Sequence, residues 1–95
     1  MGSMNGEKKH YTPRAVAVKP LPAYRLLVTF DNQERRVFDV QPYIRGSWFG
    51  QLKDPAVFNA VQIGGLSIEW PGGQDICPDE LYSNSVPSEA EHRDA

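Results

Sequence analysis

Three carboxylates, the only thiol, a tryptophan and a tyrosine share the thirteen residues Trp70-Pro71-Gly72-Gly73-Gln74-Asp75-Ile76-Cys77-Pro78-Asp79-Glu80-Leu81-Tyr82. Asp75, Asp79 and Glu80 are groups for acid–base work or for a hard cation held by oxygen ligands. Their spacing fits no cation loop with ligands at alternate positions. Cys77 stands before Pro78-Asp79, where the start of a helix would stabilise a thiolate. A thiol nucleophile also needs a base, and the two histidines, His10 and His92, lie near the two ends of the chain. There is no nucleophile–base pair, no metal-ligand set and no phosphate loop. The expectation is a non-enzyme with no catalytic residue, no metal and no cofactor. The same residues also have plain structural roles. Asp75 would pin the turn after Trp70 by accepting backbone N–H groups. Asp79 and Glu80 would favour the positive end of a helix begun by Pro78. Cys77 would be an inert small hydrophobe.

Binding is the remaining chemistry. Trp48 and Trp70, with Tyr24, Tyr43 and Tyr82, supply either the core and its rim or a contact surface, since Trp and Tyr are enriched at interaction hot spots. Arg25 and Arg35 fall on one solvent face of a hairpin, where they would meet an acidic partner or phosphate. No helix rich in Arg and Asn is present to read a nucleic acid, so none is expected as a partner. The candidate binding surface comprises Trp48, Trp70, Asp75, Asp79, Tyr82, Arg25 and Arg35.

The elements that position these residues follow from periodicity. Arg14 to Lys19 reads as a strand, ended by Pro20-Leu21-Pro22 because proline cannot donate to a ladder. Tyr24, Leu26, Val28 and Phe30 alternate with Arg25, Leu27 and Thr29, which predicts a second strand. Asp31-Asn32-Gln33-Glu34 is a turn, with Asn32 tolerant of the left-handed region. Arg36, Phe38 and Val40 alternate with Arg35, Val37 and Asp39 in the returning strand, completing a hairpin. Pro42 to Gly46 fits one helical turn, and Trp48, Phe49 and Leu52 close one end of the core. Asp54-Pro55 starts a brief helix, with Asp54 as its cap. Val57, Phe58 and Val61 form its apolar side. Gly64-Gly65 joins two further strands. In the second of these Leu66, Ile68 and Trp70 point one way and Ser67 and Glu69 the other. The architecture predicted is α+β, a mostly antiparallel sheet of about five strands in the order β-β-β-α-β-β with short helices, the last one after Trp70.

A chain of 95 residues allows one small domain. Residues 1–12 are expected to be a disordered tail in which Met1-Gly2-Ser3 resembles an expression scar. Residues 13–83 form the domain, and residues 84–95 a disordered polar tail. One cysteine excludes an internal disulfide, and no apolar run reaches the length of a membrane span. The expected location is cytoplasmic, with no membrane partner. The net charge of −2 conceals an asymmetry. Residues 1–53 hold nine Lys/Arg against four Asp/Glu, a balance of +5. Residues 54–95 hold one Arg against eight Asp/Glu, a balance of −7. Such a division suits a basic face that meets an acidic partner or nucleic acid.

The order of landmarks resembles the bacterial family catalogued as domain of unknown function 2442. The resemblance runs from about Pro13 to Ser83. It is carried by the Val-rich opening strand with its Pro-Leu, by Leu-Val-Thr-Phe-Asp leading to Val-Phe-Asp-Val, and by Gly46, Phe49, Leu52-Lys53-Asp54 and Phe58. It ends on Ile68, Trp70-Pro71, Asp75-Ile76, Pro78-Asp79 and Leu81-Tyr82. The family typically has Asp-Gly at the first turn, where this chain has Asp31-Asn32. The resemblance implies a small α+β domain with no established activity. It also implies a small protein partner encoded nearby, in an arrangement like a toxin–antitoxin pair. The functional expectation is a protein-interaction module, the antitoxin-like or regulatory half of such a pair, with a homodimer as a further arrangement. The alternative is a small-ligand-binding domain with its pocket beside Trp70–Tyr82.

Overall fold

The computed structural model describes residues 12–65 and 67–88. The expected N-terminal tail up to residue 11, Leu66 and the last residues from 89 lie outside the described part. The fold is α+β, with seven strands in two antiparallel sheets among the described residues. β1 (Ala15–Leu21), β2 (Arg25–Phe30), β3 (Arg35–Asp39) and β7 (Val86–Pro87) form one sheet in that order. β4 (Gln62–Gly64), β5 (Ser67–Glu69) and β6 (Asp75–Ile76) form the other. Two short helices, α1 (Pro55–Phe58) and α2 (Pro78–Ser83), and two 3-10 segments, Gln41–Tyr43 and Phe49–Lys53, connect them.

The period of two in β2 becomes its burial pattern. Leu26, Val28 and Phe30 face the core, and Arg25, Leu27 and Thr29 face outward. The hairpin register opposes Leu26 to Phe38 and Val28 to Arg36, so the inward face of β3 carries an arginine. β1 continues past the expected stop and takes in Pro20, which sits opposite Leu26. β1 is an edge strand, so the missing N–H of Pro20 breaks no ladder. A bulge between Ala15 and Ala17 shifts its register and leaves Val16 half exposed. In the β2–β3 turn Gln33, not Asn32, takes the left-handed conformation, at φ 74°. The Asn32 side chain instead accepts the Glu34 backbone N–H at 3.0 Å.

The core gathers Ala15, Leu26, Val28, Phe30, Phe38, Val40, Leu52, Phe58, Ile68, Trp70, Ile76 and Leu81. β1 lies against β4 and β5, and α2 against β5, so the core closes between the two sheets. Asp54 caps α1 as expected, accepting the Ala56 backbone N–H at 3.0 Å. Pro78 opens α2 with Asp79 and Glu80 in its first turn. Two expectations are corrected. Ser67, placed by alternation on the face opposite Ile68 and Trp70, is buried as they are. The domain also continues past residue 83: β7 pairs with β3, and Ser85 is buried. The polar composition of this end concealed a segment whose backbone and serine complete other groups' hydrogen bonds.

Candidate functional site

Trp48 is half exposed, yet its position is fixed. Its indole N–H donates to the Gly72 carbonyl at 3.1 Å, and its own carbonyl accepts from Gln74 Nε2 at 2.8 Å. The Phe49 ring meets it edge-on with centroids 5.4 Å apart. Trp48 precedes the 3-10 segment Phe49–Lys53, which is anchored in the core by the fully buried Leu52. The turn beneath it is closed by backbone bonds, from Trp70 N–H to Gln74 O at 2.8 Å and from Gly73 N–H to Trp70 O at 2.9 Å. Gly73 adopts φ 96°, a conformation that favours glycine. A Cβ on Gly72 would stand 2.8 Å from Gln74 Oε1. The tight approach at this turn therefore depends on both glycines.

Gln74, rather than Asp75, pins the turn. The Gln74 side chain is fully buried and also reaches Gln51 Oε1 at 3.2 Å. Asp75 is exposed, opposite Glu69 in the β5–β6 ladder, and accepts no backbone N–H among the described residues. Sequence reasoning missed Gln74, because a single Gln in a turn carries no pattern. The Gly72-Gly73 doublet was the available signal of a close approach there.

Trp70 is not a surface residue. It is 1% exposed, and its indole N–H donates to the Phe58 carbonyl at 3.0 Å. Its place in the expected binding surface is thereby corrected: Trp70, at the end of β5, is buried as Ile68 is. Asp79 is exposed and accepts from the Thr12 hydroxyl. Tyr82 is half-buried, edge-on to Phe30, and its hydroxyl donates to Glu34 Oε1 at 2.8 Å. The Arg36 guanidinium stacks 4.5 Å from the Tyr82 ring centroid. Arg36 also donates to Ser85 Oγ and Ser85 O, each at 2.7 Å, and to Glu34 Oε1 at 3.1 Å. Every nitrogen of this inward-facing cation thus has a partner, as a part-buried charge requires. The bond to Glu34 raises the Tyr82 pKa, with burial adding to it. Burial and then the bond to Glu80 raise the Tyr43 pKa. These contacts make Tyr82, Arg36 and Ser85 a structural knot.

Arg25 and Arg35 do share the outward face of the hairpin, but at opposite ends. Arg25 stands opposite Asp39 and Arg35 opposite Thr29. Four residues of strand separate them, about 13 Å, too far for one phosphate. The candidate residues therefore divide into Trp48 at the Gly72-Gly73 turn, Arg25 and Arg35 on the open sheet, and Asp79 and Tyr82 on α2, with Asp75 alone and Trp70 in the core.

A family model described as a protein of unknown function, DUF2442, matches residues 15–87. The chain belongs to this family. No curated protein and no solved structure matches it. The DUF2442 match begins at β1 and ends at β7, so Val86–Pro87 belongs to the family's domain.

Within this DUF2442 domain a cleft of about 460 Å³ is lined by Pro20, Leu21, Pro22, Ala23, Tyr24, Pro55, Phe58 and Asn59. No residue of the Trp70–Tyr82 segment lines it, although the carbonyl of its wall residue Phe58 accepts the Trp70 indole N–H. The turn at its mouth is strained, with Ala23 at φ 67° and Tyr24 at φ 59°. Tyr24 is held there by its hydroxyl, which donates to the Lys53 carbonyl at 2.6 Å, and by its ring, edge-on to Phe58 at 5.3 Å. Among the described residues of the DUF2442 fold, no cluster of three His, Cys, Asp or Glu side chains is placed to hold a metal ion. Nor is any described helix long and apolar enough to cross a membrane.

Proposed function

We propose that this chain is a non-catalytic protein-interaction module, the regulatory, antitoxin-like half of a two-protein bacterial system acting in the cytoplasm. Trp48 is the observation that carries the reading. A lone exposed apolar side chain is ordinary on a protein surface. Trp48 differs because folding has left it 50% exposed while fixing its ring by a hydrogen bond and an edge contact. Its rotamer entropy is already lost, so a partner that covers it gains apolar burial at little ordering cost. Co-expression with the product of the adjacent gene, followed by size-exclusion chromatography at micromolar concentration, tests this. The two proteins should migrate together. Trp48→Ala should weaken the complex by about 2 kcal/mol, roughly thirtyfold, with an unchanged circular dichroism spectrum. Separate migration of the two wild-type proteins would overturn the reading.

A small-ligand role is the second reading, favoured by the cleft between Pro20 and Asn59, whose volume suits a small molecule. Its walls combine apolar side chains with polar atoms, Asn59 among them, and fit a small ring that carries one polar group. Titration with 2-naphthol should shift the amide resonances of Leu21–Tyr24 and Val57–Asn59, and unmoved resonances there would remove this reading.

A further inference from the structure

The outward face of the four-stranded sheet is laid out in cross-strand rows. Lys19 stands opposite Leu27, Leu27 opposite Val37, and Val37 opposite Val86, so one row crosses every strand. Its apolar members differ in exposure: Leu27 is half-buried, Val37 in the middle is only 6% exposed, and Val86 stands open, with the Lys19 stem at the other end. One flanking row holds Ala17, Thr29 and Arg35, and the other Leu21, Arg25 and Asp39. Val86 is 45% exposed at the end of the apolar row, and Lys19 and Arg35 are exposed at its margins. Three cations and one carboxylate thus surround an apolar stripe. Among the described residues, the acids after residue 53, namely Asp54, Glu69, Asp75, Asp79 and Glu80, all sit on the other sheet or at the helices, away from this face.

We propose that this face docks an acidic amphipathic helix from a partner protein. The spacing selects a helix. Strands in a sheet are about 4.8 Å apart, and a helix rises about 5.4 Å per turn. A helix lying across the strands therefore sets apolar side chains two turns apart over Leu27 and Val86, with the buried Val37 beneath the turn between them. Its backbone is satisfied internally, whereas a strand laid flat on this face would have no ladder to join. The charges select the sign. Glu or Asp on the flanks of that helix meets the exposed Lys19 and Arg35, and a basic helix is repelled. The surface shares no residue with the Trp48 patch, so each can fail its test while the other stands.

The test titrates the full chain into two fluorescein-labelled peptides of about four helical turns, read by fluorescence anisotropy. One has a Leu stripe flanked by Glu, and its isomer has Lys in place of Glu. The acidic peptide should bind at least about tenfold more tightly than the basic one. It should shift the amide resonances of Lys19, Leu27, Arg35, Val37 and Val86. Val86→Asp and Arg35→Glu should each weaken it about tenfold at an unchanged melting temperature, because both side chains are exposed. Equal affinity for the two peptides, no binding, or shifts elsewhere would overturn the proposal. So would displacement of the acidic peptide by a single-stranded DNA oligonucleotide that shifts the same rows, since nucleic acid would then be the occupant. Self-association in sedimentation that Val86→Asp abolishes would overturn it too, by making a second copy the occupant.

Discussion

One oxygen of Glu34 serves two side chains, accepting from the Tyr82 hydroxyl at 2.8 Å and from Arg36 at 3.1 Å. Tyr43 makes the corresponding bond to Glu80. A phenolate in either place would lose its donated bond and face a carboxylate, so both tyrosines are held in the protonated form. Their folded pKa values lie above the unfolded value of about 10. The stability this contributes is complete below about pH 10 and is lost as pH rises through the folded values. The melting temperature should therefore fall from about pH 10 upward. The Tyr43→Phe, Tyr82→Phe double variant should melt lower at neutral pH and lose less on alkaline titration. Parallel curves for variant and wild type would refute this linkage. The inward direction of Arg36 was legible, since it alternates with Phe38 and Val40. Its partner was not, because Ser85 stands 49 residues later in a stretch of polar residues with no period. A hydrogen-bond partner that distant leaves no local trace.

At the scale of elements, the β1–β2 turn holds two successive non-glycine residues in the left-handed region, Ala23 and Tyr24. Each is disfavoured by contact between Cβ and the carbonyl. Tyr24 has its hydroxyl bond to Lys53 and its ring contact with Phe58 in return. Ala23 has no comparable anchor, so Ala23→Gly should stabilise the protein by roughly 0.5–1 kcal/mol in urea unfolding. A loss of stability would contradict the strained turn. The strands that alternate over five or six residues, β2 and β3, were readable because one face of each is buried. β6 and β7 have two residues each and were not. Their pairing is dictated by β5 and β3, and two residues cannot display a period. Pro20 misled for a related reason: proline ends a central strand, but the edge position of β1 is set by the rest of the sheet. Of the candidate site, the reading of Arg25 and Arg35 on one face came from the same alternation. Nothing local distinguished exposed Trp48 from a core aromatic.

For the molecule as a whole, the chain closes on itself through Ser85, which binds the Arg36 guanidinium with both its hydroxyl and its carbonyl. A chain ending at Asn84 would leave two donors of a part-buried cation without partners. It should lose about 2 kcal/mol or more in denaturant unfolding relative to a chain ending at Ser88. Equal midpoints for the two would show the closure to be ornamental. The two margins of the four-stranded sheet have their own consequence. β1 carries a bulge, Lys19 and Pro20, and β7 is two residues long and ends in Pro87. Bulges, lysines and prolines on outer strands all obstruct the addition of another strand. Fibril-like growth and strand exchange between molecules are thereby blocked at both margins. The open end of the apolar row, at Val86, can face solvent without the protein polymerising through its own backbone.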